Sequence, residues 1–557
     1  MTTREQTSAF QRWRSTTLAP FQHRAFALFW WASLVSSLGS LIQTVGASWL
    51  MATISPSADQ VALVQTAGAL PFFFLSLLAG AYVDTHDRRS LMLLATVVML
   101  LASGVLAAIT LSGHVTPAVL LGLTFTIGCG SAAFTPAWQA SISDQVPRAL
   151  VPSAIMANAV GFNLARSVGP AVGGVIVAAA GVAVSFVINA VSYIGLLGVL
   201  AWWRPARSRS ALPPEPLGAA VAAGIRYFRL SPHLLAIIAR AVLYAVPMSA
   251  ILALMPVVAR DLLGGGALTY GLLLGAFGVG AMLGALSSAA LRSRYSSESL
   301  LRVMSALACV ALMTIAQSRW APLTLLATLL AGSVWTLGLA TYNIAVQMSS
   351  PRWVMGRMVA TYQTLAFAGI AIGAGCWGAL ASRVGLRESL TAAGAMTLVS
   401  LALARRLPVS IAQLGSLDPA TATEIRPPQS AIQPLQGPIV ITVEYRVPSG
   451  NVPQFLEAIH EMGRIRRRDG AREWSICQDI DETELWIERF EAPTWVDHLR
   501  RHARLTLADQ AARERIKQLI LGEQGRVRRL IERPPGAEPL GADYERPEAV
   551  DGIPPRM

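Results

Sequence analysis

Residues 154–180 read AIMANAVGFNLARSVGPAVGGVIVAAA, an apolar stretch interrupted by one arginine, Arg166, and by the sequence GPAVGG at 169–174. A bilayer core of about 30 Å needs about 20 apolar residues in a helix, so this stretch is long enough to cross a membrane. Small residues let two helix backbones approach closely, and a proline inside a helix removes one backbone hydrogen bond. We therefore expect a membrane-spanning helix that packs closely against its neighbours and bends.

Apolar runs of this kind occur about twelve times before residue 406. The whole chain has 557 residues, of which 53% are hydrophobic and 14% charged, a composition outside the range of soluble globular proteins. Segment 147–181 also matches segment 351–385 in one register. The matched residues are Pro147 with Pro351, Arg148 with Arg352, Gly169 with Gly373, Gly174 with Gly378, and Gly181 with Gly385. This self-similarity indicates a duplicated architecture of two halves.

The sequence thus predicts an all-α membrane protein of twelve transmembrane helices in two six-helix halves, followed by a C-terminal ferredoxin-like α+β domain. The first run, 26–53, is too long for the apolar part of a signal peptide, so we expect an uncleaved span. The predicted regions are a cytoplasmic N-terminus (1–24), the first half (25–203), a cytoplasmic loop (204–232), the second half (233–406), a linker (407–437), the ferredoxin-like domain (438–533) and a disordered tail (534–557).

The distribution of arginine predicts the orientation in the membrane. Short cytoplasmic loops retain positive charge, and most arginines between spans fall on one side, such as those at 88–89, 204–209 and 405–406. Both termini are therefore expected in the cytoplasm, with the spans in the inner membrane of a bacterium. The net charge of +13 follows from this topology and does not indicate nucleic-acid binding.

Segment 80–89, which reads GAYVDTHDRR, follows the second span. It resembles the G-x-x-x-D-R-x-G-R-R signature of the major facilitator superfamily, with Thr85 and Asp87 in place of the usual arginine and glycine. A carboxylate at a helix end can exchange partners between conformations. The resemblance assigns Asp84, Arg88 and Arg89 to a cytoplasmic gate, although an ordinary hydrated loop remains the alternative.

The GPAVGG sequence resembles the G-P-x-x-G-G motif of exporters and antiporters in the same superfamily. Together with the upstream stretches 134–137 and 158–166, it is similar to the enterobactin-exporter-like branch, and the resemblance covers about residues 24–406. It implies export by alternating access. It assigns the moving interface to Gly169, Pro170, Gly173 and Gly174.

Polar residues inside the spans are candidates for a substrate cavity. Arg166 stands about twelve residues into its span, where a charge needs water, an anion or a partner. A structural role for Arg166, bonded to a neighbouring helix, is an equal alternative. Apolar walls with scattered amides and phenols suit a small amphipathic ligand such as a siderophore, drug or secondary metabolite. The predicted substrate-binding residues are Gln43, Gln65, Asn163, Arg166, Tyr244, Tyr342 and Gln363.

The energy source is expected to be the proton gradient, as the superfamily resemblance implies. The middle of the spans contains neither aspartate nor glutamate, so Asp59 near the outer mouth is the predicted proton-coupling residue. No cofactor, metal site or enzymatic activity is predicted for the transporter. An importer of the same fold is the alternative within the transporter class.

The segment after residue 438 alternates between strand and helix patterns. Strands are predicted at 439–447, 472–478, 484–491 and 527–531, helices at 453–468 and from 494, and a capping box at Thr506 and Asp509. This tail resembles the antibiotic-biosynthesis-monooxygenase class of dimeric α/β barrels. It is expected to be a dimerisation module, which would make the protein a homodimer, or a regulatory module. A membrane-tethered enzyme using His498 and His502 is the remaining alternative.

Overall fold

The computed structural model describes residues 19–85, 87–147, 150–204, 217–351, 353–403, 406–409, 432–522, 526–533 and 535. The chain divides into two compact units. The helical unit comprises 1–208, 236–345 and 360–410, and the tail unit comprises 209–235, 346–359 and 411–557. The predicted N-terminal segment 1–24, the linker 407–437 and the disordered end 534–557 lie largely outside the described residues, as do Arg148 and Arg352.

The first half contains six long helices. Their backbone groups are hydrogen-bonded within each helix, as the interior of a bilayer requires. Turns between them carry local signals: Asp87 accepts a hydrogen bond from the Arg89 amide at 3.2 Å and Pro117 stands in a first turn. The helices are α1 (Arg24–Ile54), α2 (Ala58–Thr85), α3 (Arg88–Leu111), α4 (Pro117–Ser141), α5 (Val151–Ala180) and α6 (Val182–Trp202).

A short helix, α7 (Leu217–Arg229), follows the first half and belongs to the tail unit. The sequence predicted only a loop over 204–232, so this helix is a correction. Its apolar and basic residues lie on different faces. A helix this short is stable only when other residues pack on its apolar face. Tyr227 is accordingly buried, with 2% of its surface exposed.

The second half also contains six helices. They are α8 (Pro232–Val257), which continues into a π-helical turn (Val258–Leu262), α9 (Ala267–Arg294), α10 (Ser297–Gln317), α11 (Ala321–Met348), α12 (Met355–Val384) and α13 (Leu386–Leu403). Eleven helices among the described residues are long and apolar enough to cross a membrane. The last, α13, is not among those eleven, because it is short and carries Arg387 and Glu388 in its first turn.

The matched glycines of the two halves occupy equivalent positions. Gly181 and Gly385 both have positive φ, at 85° and 114°, and end α5 and α12 respectively. Gly169 packs on Leu41 of α1, and its counterpart Gly373 packs on the corresponding helix of the second half, at Ser249 of α8. These shared contacts support the duplication inferred from the sequence.

The tail unit contains a four-stranded antiparallel sheet, in the order β2-β3-β1-β4. Every strand lies within one residue of its predicted bounds, and the Thr506–Asp509 capping box is confirmed. The core contains the aromatic rings of Tyr445, Phe455 and Phe490. The elements are β1 (Ile439–Arg446), α14 (Val452–Arg468), β2 (Arg472–Gln478), β3 (Leu485–Ala492), α15 (Trp495–Ala503), α16 (Leu507–Leu519) and β4 (Val527–Ile531).

Candidate substrate pathway and tail contacts

Helix α5 has one continuous apolar exposed face. Val160, Leu164, Val168 and Val172 follow one another every four residues and are 64%, 46%, 44% and 40% exposed. In a membrane-spanning helix an apolar stripe of this length faces lipid. Arg166 does not belong to this stripe, because it is rotated well away from Val168 and Leu164 at 100° per residue.

Helix α5 contacts two other helices, and Arg166 lies on the arc of the α5 surface between these two contacts. On one side, a Cβ on Gly173 would lie 3.0 Å from the Ile42 Cα of α1. On the other side, the Ser167 hydroxyl donates to the Gly278 carbonyl of α9 at 3.0 Å. Since α1 belongs to the first half and α9 to the second, Arg166 lies between a helix contact within the first half and one that joins the two halves.

The Arg166 guanidinium forms no hydrogen bond or ion pair with any residue that the structure describes, and its side chain is half-buried. Phe162, on the same arc one turn earlier, is 56% exposed. Asn163, predicted to assist Arg166, instead donates to the Ala159 carbonyl of its own helix at 2.8 Å. The arc is therefore open, and it carries a charged group without a partner among the residues that the structure describes.

Gln43 lies in a buried polar network within the first half. Its Oε1 accepts a hydrogen bond from the Asn189 amide nitrogen of α6 at 2.7 Å. The same nitrogen lies 3.3 Å from the Tyr193 hydroxyl, which is 3.1 Å from the Ser40 hydroxyl. The structure thus places Gln43 in contact with α6, with only 5% of its surface exposed.

The predicted tyrosines of the second half come together. Tyr244 and Tyr342 have ring centroids 6.0 Å apart, and both are fully buried. The Tyr244 hydroxyl donates to the Val334 carbonyl at 2.7 Å. Gln65 is half-buried and Gln363 exposed, and no hydrogen bond joins either to another described residue. Among the described residues, no hydrogen bond joins Arg166 to any of these four side chains.

The predicted gate arginines bind within their own half. Arg88 donates to the Asp144 carboxylate at 3.1 Å and to the Ala140 carbonyl at 2.9 Å. Arg89 donates to the carbonyls of residues 200 and 201, both at 2.8 Å. The side chain of Asp84 lies outside the described residues, so its predicted part in the gate remains untested.

At the opposite end of the helices, the two halves touch directly. Arg260, in the π-helical turn after α8, donates to the carbonyls of Ala52, Ser55 and Pro56 at the end of α1. Thr66 of α2 donates to the Ala371 carbonyl of α12 at 3.0 Å. A guanidinium at a helix C-terminus satisfies carbonyls that lack a partner within the helix. These contacts close this end. No local pattern in the sequence marks Arg260 for this role, because its partners lie more than 200 residues away in the chain.

Asp59 and Gly174 of the GPAVGG sequence lie at contacts between the halves, whereas Gly169 and Gly173 contact α1 within the first half. A Cβ on Gly378 of α12 would lie 3.1 Å from the Asp59 Cα of α2. Gly174 meets Gly271 of α9, and Gly275 of α9 faces Ala171. The predicted interface residues Gly169, Pro170, Gly173 and Gly174 thus line two helix contacts, one with α1 and one with α9.

Within the tail unit, two arginines of the sheet domain contact aromatic rings that follow α6 and α11 in the sequence. The Arg468 guanidinium lies 5.1 Å from the centre of the Tyr227 ring, and that of Arg504 lies 4.3 Å from the Trp353 ring. Tyr227 and Trp353 also meet edge to face at 5.4 Å. Such cation–π contacts contribute about 0.5–2 kcal/mol each.

His498 packs in the interior of the tail unit, whereas His502 is half-buried. His498 is 2% exposed and stacks on Trp495, with ring centroids 5.2 Å apart. Burial lowers the pKa of His498 to about 3 and that of His502 to about 4. Both rings are therefore neutral at pH 7, and the described residues contain no group of three His, Cys, Asp or Glu that could hold a metal.

Comparison with known proteins places the chain among transporters. The family described as transmembrane secretion effector matches residues 15–535. The staphyloferrin A transporter of Staphylococcus aureus is 28% identical over 30% of this chain and 42% of that protein. The multidrug efflux pump Tap of Mycolicibacterium fortuitum is 29% identical over 66% of this chain and 91% of that protein.

The multidrug efflux pump Tap of Mycobacterium tuberculosis is 26% identical over 36% of this chain and 50% of that pump. The chain thus spans half or less of the staphylococcal and tuberculosis relatives that it matches. All three are named as transporters or pumps rather than as enzymes.

Solved structures show the same fold. A bacterial homologue of the human lysosomal transporter Spinster, in an inward-facing and unoccupied conformation, has a TM-score of 0.56 at 15% identity and covers 70% of this chain and 98% of its own. The nucleoside transporter NupG also has a TM-score of 0.56, at 12% identity, covering 69% of this chain and 100% of its own. At this identity the likeness concerns architecture alone.

Proposed function

The chain belongs to the transmembrane secretion effector family of major facilitator transporters, and on this premise we propose that it is a secondary active exporter of a small amphipathic molecule. It works by alternating access, with the two halves rocking about a central pathway. Like its relatives, the chain is a transporter and not an enzyme.

The observation that carries the proposal is the unpartnered Arg166 guanidinium on the open arc of α5. A charge in the middle of a membrane span costs about 2.5–3.5 kcal/mol even on permissive scales. An anionic or strongly hydrogen-bond-accepting group on the substrate would offset this cost. The neighbouring exposed Phe162 would supply an apolar surface, so an amphipathic anion fits this arc better than a sugar or a cation.

The closed end supports alternating access. The end held by Arg260 and Thr66 is sealed between the halves, whereas Arg88 and Arg89 at the other end bind within one half. We assign the arginine-rich end to the cytoplasm by the positive-inside rule, with both termini on that side of a bacterial inner membrane. On this assignment the structure faces inward, and an exporter would take up its substrate in this state.

Export is the proposed direction because the GPAVGG sequence resembles the exporter motif. The names of two relatives, both multidrug efflux pumps, agree with it, and a third is named as a staphyloferrin A transporter. Siderophores, drugs and secondary metabolites are accordingly the proposed substrate classes. Import by the same fold is the alternative.

Proton antiport is the proposed energy source, with Asp59 as the coupling residue. The support is its position: Asp59 accepts a hydrogen bond from the Ser57 hydroxyl at the closed end, where α2 meets Gly378 of α12. A proton binding to this carboxylate would act where the halves must separate.

For the tail we propose a ferredoxin-like domain with a regulatory or dimerising role. Its strand order and antiparallel pairings support this fold. The contacts of Arg468 and Arg504 with Tyr227 and Trp353 favour regulation, because Tyr227 lies in α7, which follows α6, and Trp353 follows α11. A tethered enzyme is disfavoured because His498 is enclosed.

The proposed function is tested by accumulation in cells expressing wild type, Arg166→Ala or the control Arg319→Ala, whose side chain is exposed in a loop. A panel of siderophores and lipophilic dyes is measured with and without a protonophore. Wild type and the control should lower accumulation of at least one compound, and both Arg166→Ala and the protonophore should abolish the effect. Higher accumulation in wild-type cells would establish import instead.

A further inference from the structure

Helix α7 (Leu217–Arg229) is too short to be stable by itself. Isolated helices shorter than about 15 residues are marginal in water, and α7 has 13 residues. Its buried face carries Ala223 and Tyr227, which are 3% and 2% exposed, whereas Ile225 on the opposite face is 46% exposed. The helical state of α7 therefore depends on the residues that pack on this buried face.

One segment that covers this face lies around the start of α12. Tyr227 meets the Trp353 ring edge to face at 5.4 Å. A Cβ on Gly224 would lie only 3.3 Å from the Arg357 Cβ. All of these residues belong to the tail unit, so α7 packs on the connection between α11 and α12 within that unit.

Another segment that covers α7 belongs to the sheet domain, residues 439–531. The Arg468 guanidinium, at the end of α14, lies 5.1 Å from the centre of the Tyr227 ring. A Cβ on Gly470 would lie 3.2 Å from the Arg226 Nη2, so the absence of a side chain there leaves room for Arg226. The sheet domain is thus docked on α7 through the end of α14.

Arg468 is held in place for this contact. Its guanidinium binds the carboxylates of Asp469 and Asp509, each at 2.9 Å, and both carboxylates are buried. A guanidinium fixed by two carboxylates loses little further side-chain freedom when an aromatic ring packs on it. The Arg504 guanidinium lies 4.3 Å from the Trp353 ring, so two arginines of the sheet domain contact two rings that touch each other.

The position of α7 in the sequence links this docking to transport. Helix α7 lies between the last helix of the first half and the first helix of the second half. Alternating access moves the halves against each other, so the chain that connects them has to follow that movement. A domain that holds both α7 and the connection between α11 and α12 therefore restrains the movement.

We propose that the docked sheet domain is an autoinhibitory brace: it keeps α7 folded, restrains the connection between the halves and slows transport. Undocking of the domain and unfolding of α7 form one equilibrium, because the helix loses its cover when the domain leaves. This inference rests on the proposed transport function and gives the tail a specific regulatory role.

Hydrogen exchange of the purified full chain, followed by mass spectrometry, tests the docking without a substrate. Amide exchange of residues 217–229 reports the opening of α7. Tyr227→Ala should speed this exchange at least tenfold, although alanine favours a helix more than tyrosine does. Ile225→Ala, on the exposed face of the same helix, is the matched control and should not speed it.

Arg504→Ala tests the docking from the side of the sheet domain. It removes the contact with the Trp353 ring and should speed the exchange of residues 217–229 about threefold. Exchange of β1 should stay as in wild type, because the sheet domain remains folded. Unchanged exchange of α7 in either Tyr227→Ala or Arg504→Ala would overturn the docking.

Transport into energised inside-out vesicles tests the inhibitory role. Tyr227→Ala should raise the initial rate of an exported probe at least twofold, and Ile225→Ala should leave it unchanged. A rate that Tyr227→Ala leaves unchanged or lowers would overturn the brace. Absence of transport in both wild type and Tyr227→Ala would contradict the proposed function, while the exchange result would still decide whether the domain docks.

Discussion

Gly174 of α5 and Gly271 of α9 meet backbone to backbone, so that a Cβ on Gly174 would lie 2.5 Å from the Gly271 Cα. This contact joins the two halves and lies within the GPAVGG sequence. Alternating access requires the two halves to slide or rock against each other at such a contact. A close-packed interface that must adopt two arrangements tolerates little added side-chain volume.

We therefore expect Gly174→Val to abolish transport and lower the melting temperature of the purified protein. Overpacking of a close contact costs about 1–3 kcal/mol. The matched control is Gly104→Ala on α3, where an added Cβ would meet nothing within 4 Å. Normal transport by Gly174→Val would show that this contact does not move or does not matter.

Arg260 is expected to stabilise the closed end. Arg260→Ala removes the hydrogen bonds to the end of α1, so the population with that end open should rise. Spin labels on cysteines introduced at 114 and 319, in exposed loops of the two halves, should report longer distances in this variant. Arg383→Ala, an exposed arginine at the same end, should leave the distances unchanged, and an identical distribution for Arg260→Ala would refute this role.

The hydrogen bond between Asn189 and Gln43 is expected to stabilise the folded protein. Asn189→Ala leaves a buried Gln43 carbonyl oxygen without its 2.7 Å donor, which costs about 1–3 kcal/mol. The melting temperature should fall clearly in Asn189→Ala. Gln65→Ala, at a half-buried residue with no hydrogen bond to another described residue, should change it little. Equal melting temperatures for both variants would argue that the network contributes no net stability.

The tail unit should lose stability as the pH falls below about 6.5. The pKa of His498 is about 3 in the folded protein and 6.5 in the unfolded chain, so unfolding takes up a proton between pH 6.5 and about pH 3. His502 behaves in the same way, with a pKa of about 4 in the folded protein. Each such proton weakens the fold by about 1.4 kcal/mol per pH unit. Asp469 opposes this between about pH 6 and 4, because burial raises its pKa to about 6.

His498→Phe removes the group that takes up one of these protons. The free energy of unfolding should therefore fall less steeply between pH 6 and pH 4 than in wild type, by about 1.4 kcal/mol per pH unit. Cleavage within residues 485–503 of the full chain by a protease, measured against urea concentration, gives the unfolding midpoint at each pH. A pH slope equal to that of wild type would contradict the assignment of the proton uptake to His498.

Sequence patterns predicted the helices and the tail strands, because each depends on local spacing. Gly181 and Gly385 were recognised by the repeat, and their positive φ values explain why glycine stands at both helix ends. The contacts of Arg260 and Asn189 could not be predicted in this way, because their partners lie 205 and 146 residues away in the chain.

Helix α7 was missed for a related reason. Its sequence follows a proline-rich stretch typical of a loop, and the Tyr227 ring is covered by Trp353 and Arg468, which are distant in the sequence. For the substrate pathway, the sequence identified Arg166 as an intramembrane charge. Only the packing of α5 shows that this arginine lies between a contact with α1 and a contact with α9.

The central claim is that Arg166 binds an anionic group of an exported molecule, and transport into inside-out membrane vesicles tests it most directly. Energised vesicles containing wild type should accumulate at least one anionic amphipathic probe from a panel of siderophores and dyes. Arg166→Gln should reduce the initial rate at least tenfold, while Arg166→Lys should retain part of it because the charge remains. Accumulation of cationic probes alone, or a rate that Arg166→Gln leaves unchanged, would contradict the account.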